Sequence, residues 1–182
     1  MSRIPTPTLE ETPGAAQPLL AGVKKQLGTV PNLFRIIANS PAALEAYLAF
    51  SGALGKGALP APTRERIALA VAELNGCDYC LSAHTYLASN LAKLDDAEIA
   101  ANRNGASNDV TAAAAVRFAA KLVRERGHVG DIDIDAVKRA GYSNAELVEI
   151  IAHVALNVFT NTINVAFGTE IDFPRVAARK AA

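Results

Sequence analysis

The apolar residues of this chain recur at helical spacing from one end to the other, and almost no stretch alternates with the period of two that strands require. The composition agrees, because Ala and Leu are strong helix formers and aromatic residues make up only 5% of the chain. A length of 182 residues suits one domain, and a hydrophobic content of 51% is enough for a sizeable core. The sequence therefore predicts a single all-α domain over residues 1–182.

Capping residues indicate where the helices begin and end. Ser40, followed by proline, is an N-cap, and we also interpret Thr63 as a helix cap. Gly76 tolerates the left-handed conformation that ends helices. Ser143 with Glu146 three residues later forms a capping box at the start of a long C-terminal helix. The expected elements are an extended arm over 1–16 and helices over about 17–27, 31–37, 40–54, 63–75, 77–91, 95–102, 109–125, 134–139 and 143–168.

Charge and hydropathy exclude several kinds of partner. Basic and acidic residues both number 18, so the formal net charge is zero and a general basic footprint for nucleic acid or acidic lipid is absent. The first 20 residues contain four prolines and no basic start before an apolar run, which does not fit a targeting peptide. Charged or amide residues interrupt the apolar stretches elsewhere, so we expect no membrane span. A cytoplasmic protein without nucleic-acid or membrane partners is predicted.

The two cysteines, Cys77 and Cys80, carry the clearest chemical signal. A disulfide between them would close almost no loop, so redox or metal chemistry is a better interpretation than a structural bridge. If Cys77 begins a helix, its sulfur lies near unpaired backbone N–H groups that favour the thiolate. His84 follows Cys80 by four residues, on the same helix face. This pattern is typical of a nucleophile beside its base, within a helical hairpin over residues 61–92.

A histidine base needs a carboxylate to orient it, and two residues are candidates. Glu73 lies three residues before the break at Gly76, and a helical hairpin there would fold it opposite the cysteines. Glu65 lies about two turns further back, and antiparallel packing would bring it level with His84. Spacing alone does not choose between the two.

Several residues near this pattern have other interpretations. A zinc site would use both cysteines and His84 but lacks a convincing fourth ligand nearby. Tyr79, between the cysteines, either shapes access to the dithiol or simply packs. His153 is interpreted as a hydrogen-bonded core or interface residue. A polar stripe on the last helix is interpreted as a subunit contact or a buried network; its members are Asn157, Asn161 and Asn164.

The segment from Glu65 to His84 resembles the core of the alkylhydroperoxidase D and carboxymuconolactone decarboxylase superfamily, especially its peroxidase-related, alkylhydroperoxidase-like group. Members of that group are also similar to this chain in residues 28–34, 157–161 and 168–174. The resemblance extends from about Leu27 to Pro174.

The resemblance implies an all-α bundle that assembles into trimers or hexamers. It favours Glu65 as the relay carboxylate, because the family has a Glu twelve positions before its first Cys. It further implies that Cys80 attacks a hydroperoxide, that Cys77 resolves the sulfenic acid as a disulfide, and that His84 carries the proton. Tyr79 stands where alkylhydroperoxidase D proper has a second His.

These roles predict a thiol-dependent peroxidase or disulfide oxidoreductase with no bound cofactor or metal. Its reductant would be an external dithiol, such as a lipoyl or thioredoxin-like protein. One alternative is a cofactor-free lyase acting on a small lactone or acid, with His84 and Glu65 as acid and base. The other is a redox-sensing or metal-binding oligomer that is not an enzyme.

Overall fold

The computed structural model describes residues 1–179, and within that range the chain forms nine helices and no strand. The all-α prediction is therefore confirmed. The helices are α1 (Gln17–Leu27), α2 (Asn32–Ile37), α3 (Pro41–Leu54), α4 (Ala61–Leu74), α5 (Asp78–Asn90), α6 (Asp96–Arg103), α7 (Val110–Arg124), α8 (Asp131–Arg139) and α9 (Asn144–Phe167).

Two helix starts differ from the sequence-based expectation. Thr63 does not cap α4: the cap is Pro60, and Thr63 is buried in the first turn. Because a proline is compatible with the first turn of a helix, α4 begins before Pro62 and not after it. Helix α8 begins at Asp131, three residues before the expected start, because Asp133 closes a capping interaction with the backbone N–H of Gly130. Both N-caps assigned to serine are present, at Ser40 and Ser143.

Helix α4 is the central element of the fold and packs against α5, α6, α7 and α9. Residues 67–72 are buried on every side of this helix, which is the pattern of a core helix rather than an amphipathic surface one. Leu69 and Ala72 join an apolar cluster that includes both cysteines. Ile67 and Val71 join a second cluster formed with α7, α8 and α9. Because α4 is held from both sides, it is a rigid support for any group it carries.

The segment over residues 1–16 contains no helix, but it is packed rather than free. The Arg35 guanidinium donates to the carbonyl oxygens of Thr6 and Pro7. The backbone N–H of Thr12 donates to the carbonyl of Thr8 and closes a turn. A second turn follows, in which the backbone N–H of Ala16 donates to the carbonyl of Pro13, so the expected arm is irregular and lies against α2.

Helix α9 is long and apolar enough, by length and composition alone, to cross a membrane, although no such segment was expected. It packs against α2, α3, α4, α5, α7 and α8. The amide side chains that interrupt its apolar sequence face this packing and are buried. The amide-bearing side of α9 is therefore packed within the helical bundle.

Glu98 on α6 ties α4 to the loop before α7. Its carboxylate accepts hydrogen bonds from Arg66, from the side chains of Asn102 and Ser107, and from the backbone N–H of Asn108. Burial opposes the charge, but the hydrogen bonds outweigh it and lower the pKa of Glu98 from 4.5 to about 2. The network therefore links α4, α6 and the loop before α7.

This shift makes stability depend on pH. Because the pKa is lower in the folded chain than in the unfolded one, the stabilisation is complete above about pH 4.5 and is lost as the pH falls towards 2. We expect Glu98→Gln to lower the free energy of unfolding by on the order of 3 kcal/mol near neutral pH, and by much less near pH 3. Urea unfolding of both proteins at the two pH values measures this. An equal deficit at both would contradict the expectation.

Candidate active site

The turn between α4 and α5 places the first cysteine at a helix start. Gly76 has φ of +63°, a left-handed conformation that other residues adopt only with strain, and its backbone N–H donates to Glu73. Cys77 follows as the N-cap of α5, and its Sγ accepts the backbone N–H of Cys80 at 3.2 Å. The sulfur therefore occupies the position of a capping oxygen, near the positive end of the helix dipole.

Cys77 and Cys80 form a disulfide across the first turn of α5, with their Cα atoms 5.3 Å apart. The structure thus shows the oxidised state of the dithiol. Both residues are buried, with 1% of Cys77 and 3% of Cys80 exposed. They lie in the apolar cluster to which α4 contributes, so most of their neighbours are apolar.

The hairpin aligns one of the two candidate carboxylates with the histidine. Glu65 on α4 lies 2.8 Å from His84 on α5, measured from its Oε2 to Nδ1 of the ring. Each side chain is 22% exposed, so this pair lies at the edge of the buried region. An Nδ1–H that donates to the carboxylate leaves Nε2 free to accept a proton. His84 also lies one turn after Cys80 on α5.

Glu73 is not brought to the histidine. Its carboxylate accepts from the Arg103 guanidinium at 2.5 Å and from the backbone N–H of Arg179 at 2.7 Å. Both of its oxygens are therefore engaged in contacts that hold α6 and the C-terminal segment. Of the two carboxylates left open by spacing, the structure places only Glu65 beside His84.

Asn164 of α9 contacts the site and was not recognised as a site residue from the sequence. Its Nδ2 donates to Sγ of Cys80 at 3.2 Å, and the residue is 3% exposed. One turn earlier, Asn161 accepts a hydrogen bond from the side chain of Asn75 at 2.9 Å. The three amides of the polar stripe are buried, and each makes a separate hydrogen bond within the chain. The helical spacing of the stripe was the only sequence signal for the contact with Cys80.

The C-terminal strap, residues 169–179, lies over the start of α5. Backbone N–H groups of Val176 and Ala178 donate to the side chains of Ser82 and Asp78, at 2.9 and 2.8 Å. Phe173 packs edge-on against Tyr79, with ring centroids 5.8 Å apart. Tyr79 is buried, which raises the pKa of its hydroxyl, and this hydroxyl accepts the backbone N–H of Leu33. Tyr79 therefore packs and helps to anchor the strap.

His153 lies on the buried side of α9, and burial lowers its pKa. Its Nε2 has no hydrogen-bond partner among residues 1–179, so the expected hydrogen bond of a core histidine is missing at this atom. Within the same part of the chain, no group of three or more His, Cys, Asp or Glu side chains is arranged to hold a metal ion.

The chain matches the model of the carboxymuconolactone decarboxylase family over residues 41–125, which include both cysteines, Glu65 and His84. No curated protein matches the sequence.

Solved structures share the fold over nearly the whole chain. An uncharacterized peroxidase-related protein from Ralstonia eutropha JMP134, described as an alkylhydroperoxidase AhpD core, is 27% identical, with a TM-score of 0.84 over 94% of this chain and 92% of its own. A peroxidase-related protein from Silicibacter sp. TM1040 is 24% identical, with a TM-score of 0.80 over 93% and 91%. A cysteine-to-alanine variant of the debrominase Bmp8, in complex with 2,3,4-tribromopyrrole, is 21% identical, with a TM-score of 0.72 over 87% and 86%.

The fold and the site define a class of helical proteins with a buried dithiol at a helix start and a Glu–His pair one turn beyond it. The match to the carboxymuconolactone decarboxylase family over residues 41–125 and the 27% identity to the protein from Ralstonia eutropha JMP134 make the chain similar to the alkylhydroperoxidase D and carboxymuconolactone decarboxylase superfamily. They support a peroxidase-related role and leave the specific reaction to be derived from the site.

Proposed function

We propose that the protein is a thiol-dependent hydroperoxide reductase that uses the Cys77–Cys80 dithiol and takes electrons from an external dithiol. The observation that carries the proposal is the hydrogen bond between Glu65 and His84, one helical turn after a pair of cysteines able to form a disulfide. A dithiol alone would serve a sensor or a structural role. A histidine base held in one orientation beside it is what catalysis of proton transfer requires.

The first half of the cycle oxidises Cys80. His84 Nε2 accepts the thiol proton while Glu65 holds the opposite ring nitrogen. A sulfur electron pair attacks the terminal oxygen of the hydroperoxide, the S–O bond forms and the O–O bond breaks. The alkoxide takes the proton back from His84 and leaves as an alcohol, with Cys80 as a sulfenic acid.

The second half restores the dithiol. The Cys77 sulfur attacks Cys80, the S–S bond replaces the S–O bond, and hydroxide leaves with the Cys77 proton as water. An external dithiol then reduces the disulfide by two exchange steps. The reductants that fit are lipoyl or thioredoxin-like proteins, and the net change is hydroperoxide plus dithiol to alcohol, water and disulfide.

We also propose a cytoplasmic homo-oligomer, a trimer or hexamer. Supporting it is an exposed apolar stripe along α9, which a second copy would cover. Its large residues are Val148, Ile151, Val158, Phe159 and Val165. Light scattering after size exclusion measures the assembly, and a monomer at micromolar concentration would contradict it.

A thiol count by mass spectrometry tests the proposed reaction. Reduced protein treated with one equivalent of an alkyl hydroperoxide is expected to lose both maleimide-reactive thiols, and dihydrolipoamide is expected to restore both. Continuous consumption of peroxide with excess dihydrolipoamide then separates an enzyme from a sensor, which would be oxidised without turnover. Two thiols that do not react with peroxide would overturn the proposal.

A lyase is the second candidate, favoured by the match to the carboxymuconolactone decarboxylase family. In that reaction His84 and Glu65 would act as acid and base on a small lactone or acid, without the thiols. The double variant Cys77→Ser, Cys80→Ser separates the two candidates. A lyase would keep its activity in this variant, and a peroxidase would lose it.

A further inference from the structure

The two sulfur atoms of the dithiol each accept one hydrogen bond, from different parts of the chain. Cys77 Sγ accepts the backbone N–H of Cys80 at the start of α5. Cys80 Sγ accepts Nδ2 of Asn164, at the far end of α9. The helix start alone would favour Cys77 as the thiolate, because the dipole and the free N–H groups act on the capping atom. For Cys80 to be the nucleophile, a separate interaction has to stabilise its thiolate.

We infer that Asn164 is a catalytic residue whose side-chain N–H stabilises the thiolate of Cys80 and so makes Cys80, rather than Cys77, the nucleophile. This inference rests on the proposed function. The donor and the sulfur are 3.2 Å apart, and both residues are nearly fully buried. In such a site a hydrogen bond to a charged sulfur is much stronger than one to a neutral thiol. The amide therefore favours the ionised nucleophile over its resting form.

The position of Asn164 indicates that this contact is maintained. It lies on the side of α9 that packs against α5, within a helix of 24 residues anchored to six others. Its Oδ1 is buried without a hydrogen-bond partner among residues 1–179. A buried amide with one unsatisfied atom lowers stability, so the sulfur contact is a functional reason for a polar residue where an apolar one would pack.

The same contact determines which of the two sulfur atoms the external dithiol attacks during reduction. When a thiolate of the external dithiol attacks Sγ of Cys77, a new S–S bond forms, the Cys77–Cys80 bond breaks, and its electron pair leaves on Cys80. Asn164 stabilises that leaving thiolate, and a stabilised thiolate leaves faster. The mixed disulfide therefore forms on Cys77. The second thiol of the reductant then attacks it and releases the Cys77 thiolate and the oxidised reductant.

Single-cysteine proteins isolate the effect of Asn164 on each sulfur. Asn164→Leu keeps the size of the side chain and removes the donor, and it is placed in the Cys77→Ser and Cys80→Ser backgrounds. Ultraviolet thiolate absorbance against pH is the readout, since it does not depend on reagent access. We expect the thiolate fraction of Cys80 near neutral pH to fall about tenfold and that of Cys77 to stay unchanged.

Two further variants distinguish the donor effect from disturbed packing. Asn161→Leu changes a buried amide one turn away that does not bond sulfur, and is expected to leave Cys80 ionisation unchanged. Asn164→Asp keeps the shape, replaces the donor by a carboxylate, and is expected to suppress the Cys80 thiolate at least as strongly. If Asn164→Leu does not fold, Asn164→Asp provides the same test of the donor effect.

An unchanged Cys80 thiolate fraction in Asn164→Leu or Asn164→Asp would overturn the inference. Equal losses at both cysteines would do so as well, because they would indicate a general change at the helix start. The proposed function fails separately, when the unsubstituted protein does not react with peroxide. The thiolate measurement needs no peroxide and remains informative in that case.

Discussion

Replacing Cys80 with serine is expected to reduce hydroperoxide turnover to the rate of the protein-free control. A serine hydroxyl is not ionised at neutral pH, and the thiolate is the form that attacks peroxide. Neither Cys77 at the helix start nor the Glu65–His84 pair replaces the lost sulfur. The measurement is hydroperoxide consumption with excess dihydrolipoamide, alongside a thermal unfolding curve that shows the variant to be folded.

Cys77→Ser is the matched control because it changes the partner sulfur on the same turn. With no added dithiol, it is expected to consume one equivalent of peroxide in a rapid phase and then stop, since Cys80 reaches the sulfenic acid and has no thiol to resolve it. A sulfenic-acid trap should label Cys80 in this variant and label nothing in Cys80→Ser. Turnover retained by Cys80→Ser, or a rapid phase found there instead, would contradict the assigned roles.

Most of the helical framework was predictable because its signals are local. The serine caps at Ser40 and Ser143, and the left-handed glycine at Gly76, act within one turn of chain and mark helix limits in the structure. The predicted start of α4 at Thr63 was wrong. Helix α4 begins before Pro62, because a proline is allowed in the first turn of a helix and gives no boundary. Local rules identify where a helix is favoured but not which of two acceptable starts is used.

The site was predictable where one element carries it. Cys77, Cys80 and His84 follow each other on α5, so their relation is set by helix geometry. The Asn164 contact joins residues 84 positions apart, and it depends on how α9 crosses α5. The C-terminal strap has no periodicity at all, and its position depends on acceptors such as Asp78. Such contacts follow from tertiary packing, which no local pattern encodes.

Replacing Glu65 with glutamine is expected to lower kcat/KM for hydroperoxide about a hundredfold near neutral pH, within the usual range for proton-transfer catalysis. The amide keeps the size of the carboxylate and loses the charge that holds Nδ1 of His84 in its donor form. The deficit should shrink as the pH rises past about 8.5, where an ordinary thiol ionises without a base. A pH profile of kcat/KM from neutral to alkaline solution measures both effects.

Glu73→Gln makes the same chemical change on the same helix but acts on structure. It weakens the pair with Arg103 and the bond from the backbone of Arg179, so we expect a loss of about 1–2 kcal/mol in the free energy of unfolding. We expect kcat/KM to remain within about twofold of the unsubstituted protein, since Glu73 does not reach His84 and general acid–base catalysis needs that contact. The opposite pattern, with Glu73→Gln inactive and Glu65→Gln active, would transfer the relay role to Glu73. Equal activity in both variants would show that neither carboxylate takes part in the mechanism. His84 would then act on Cys80 without a carboxylate partner.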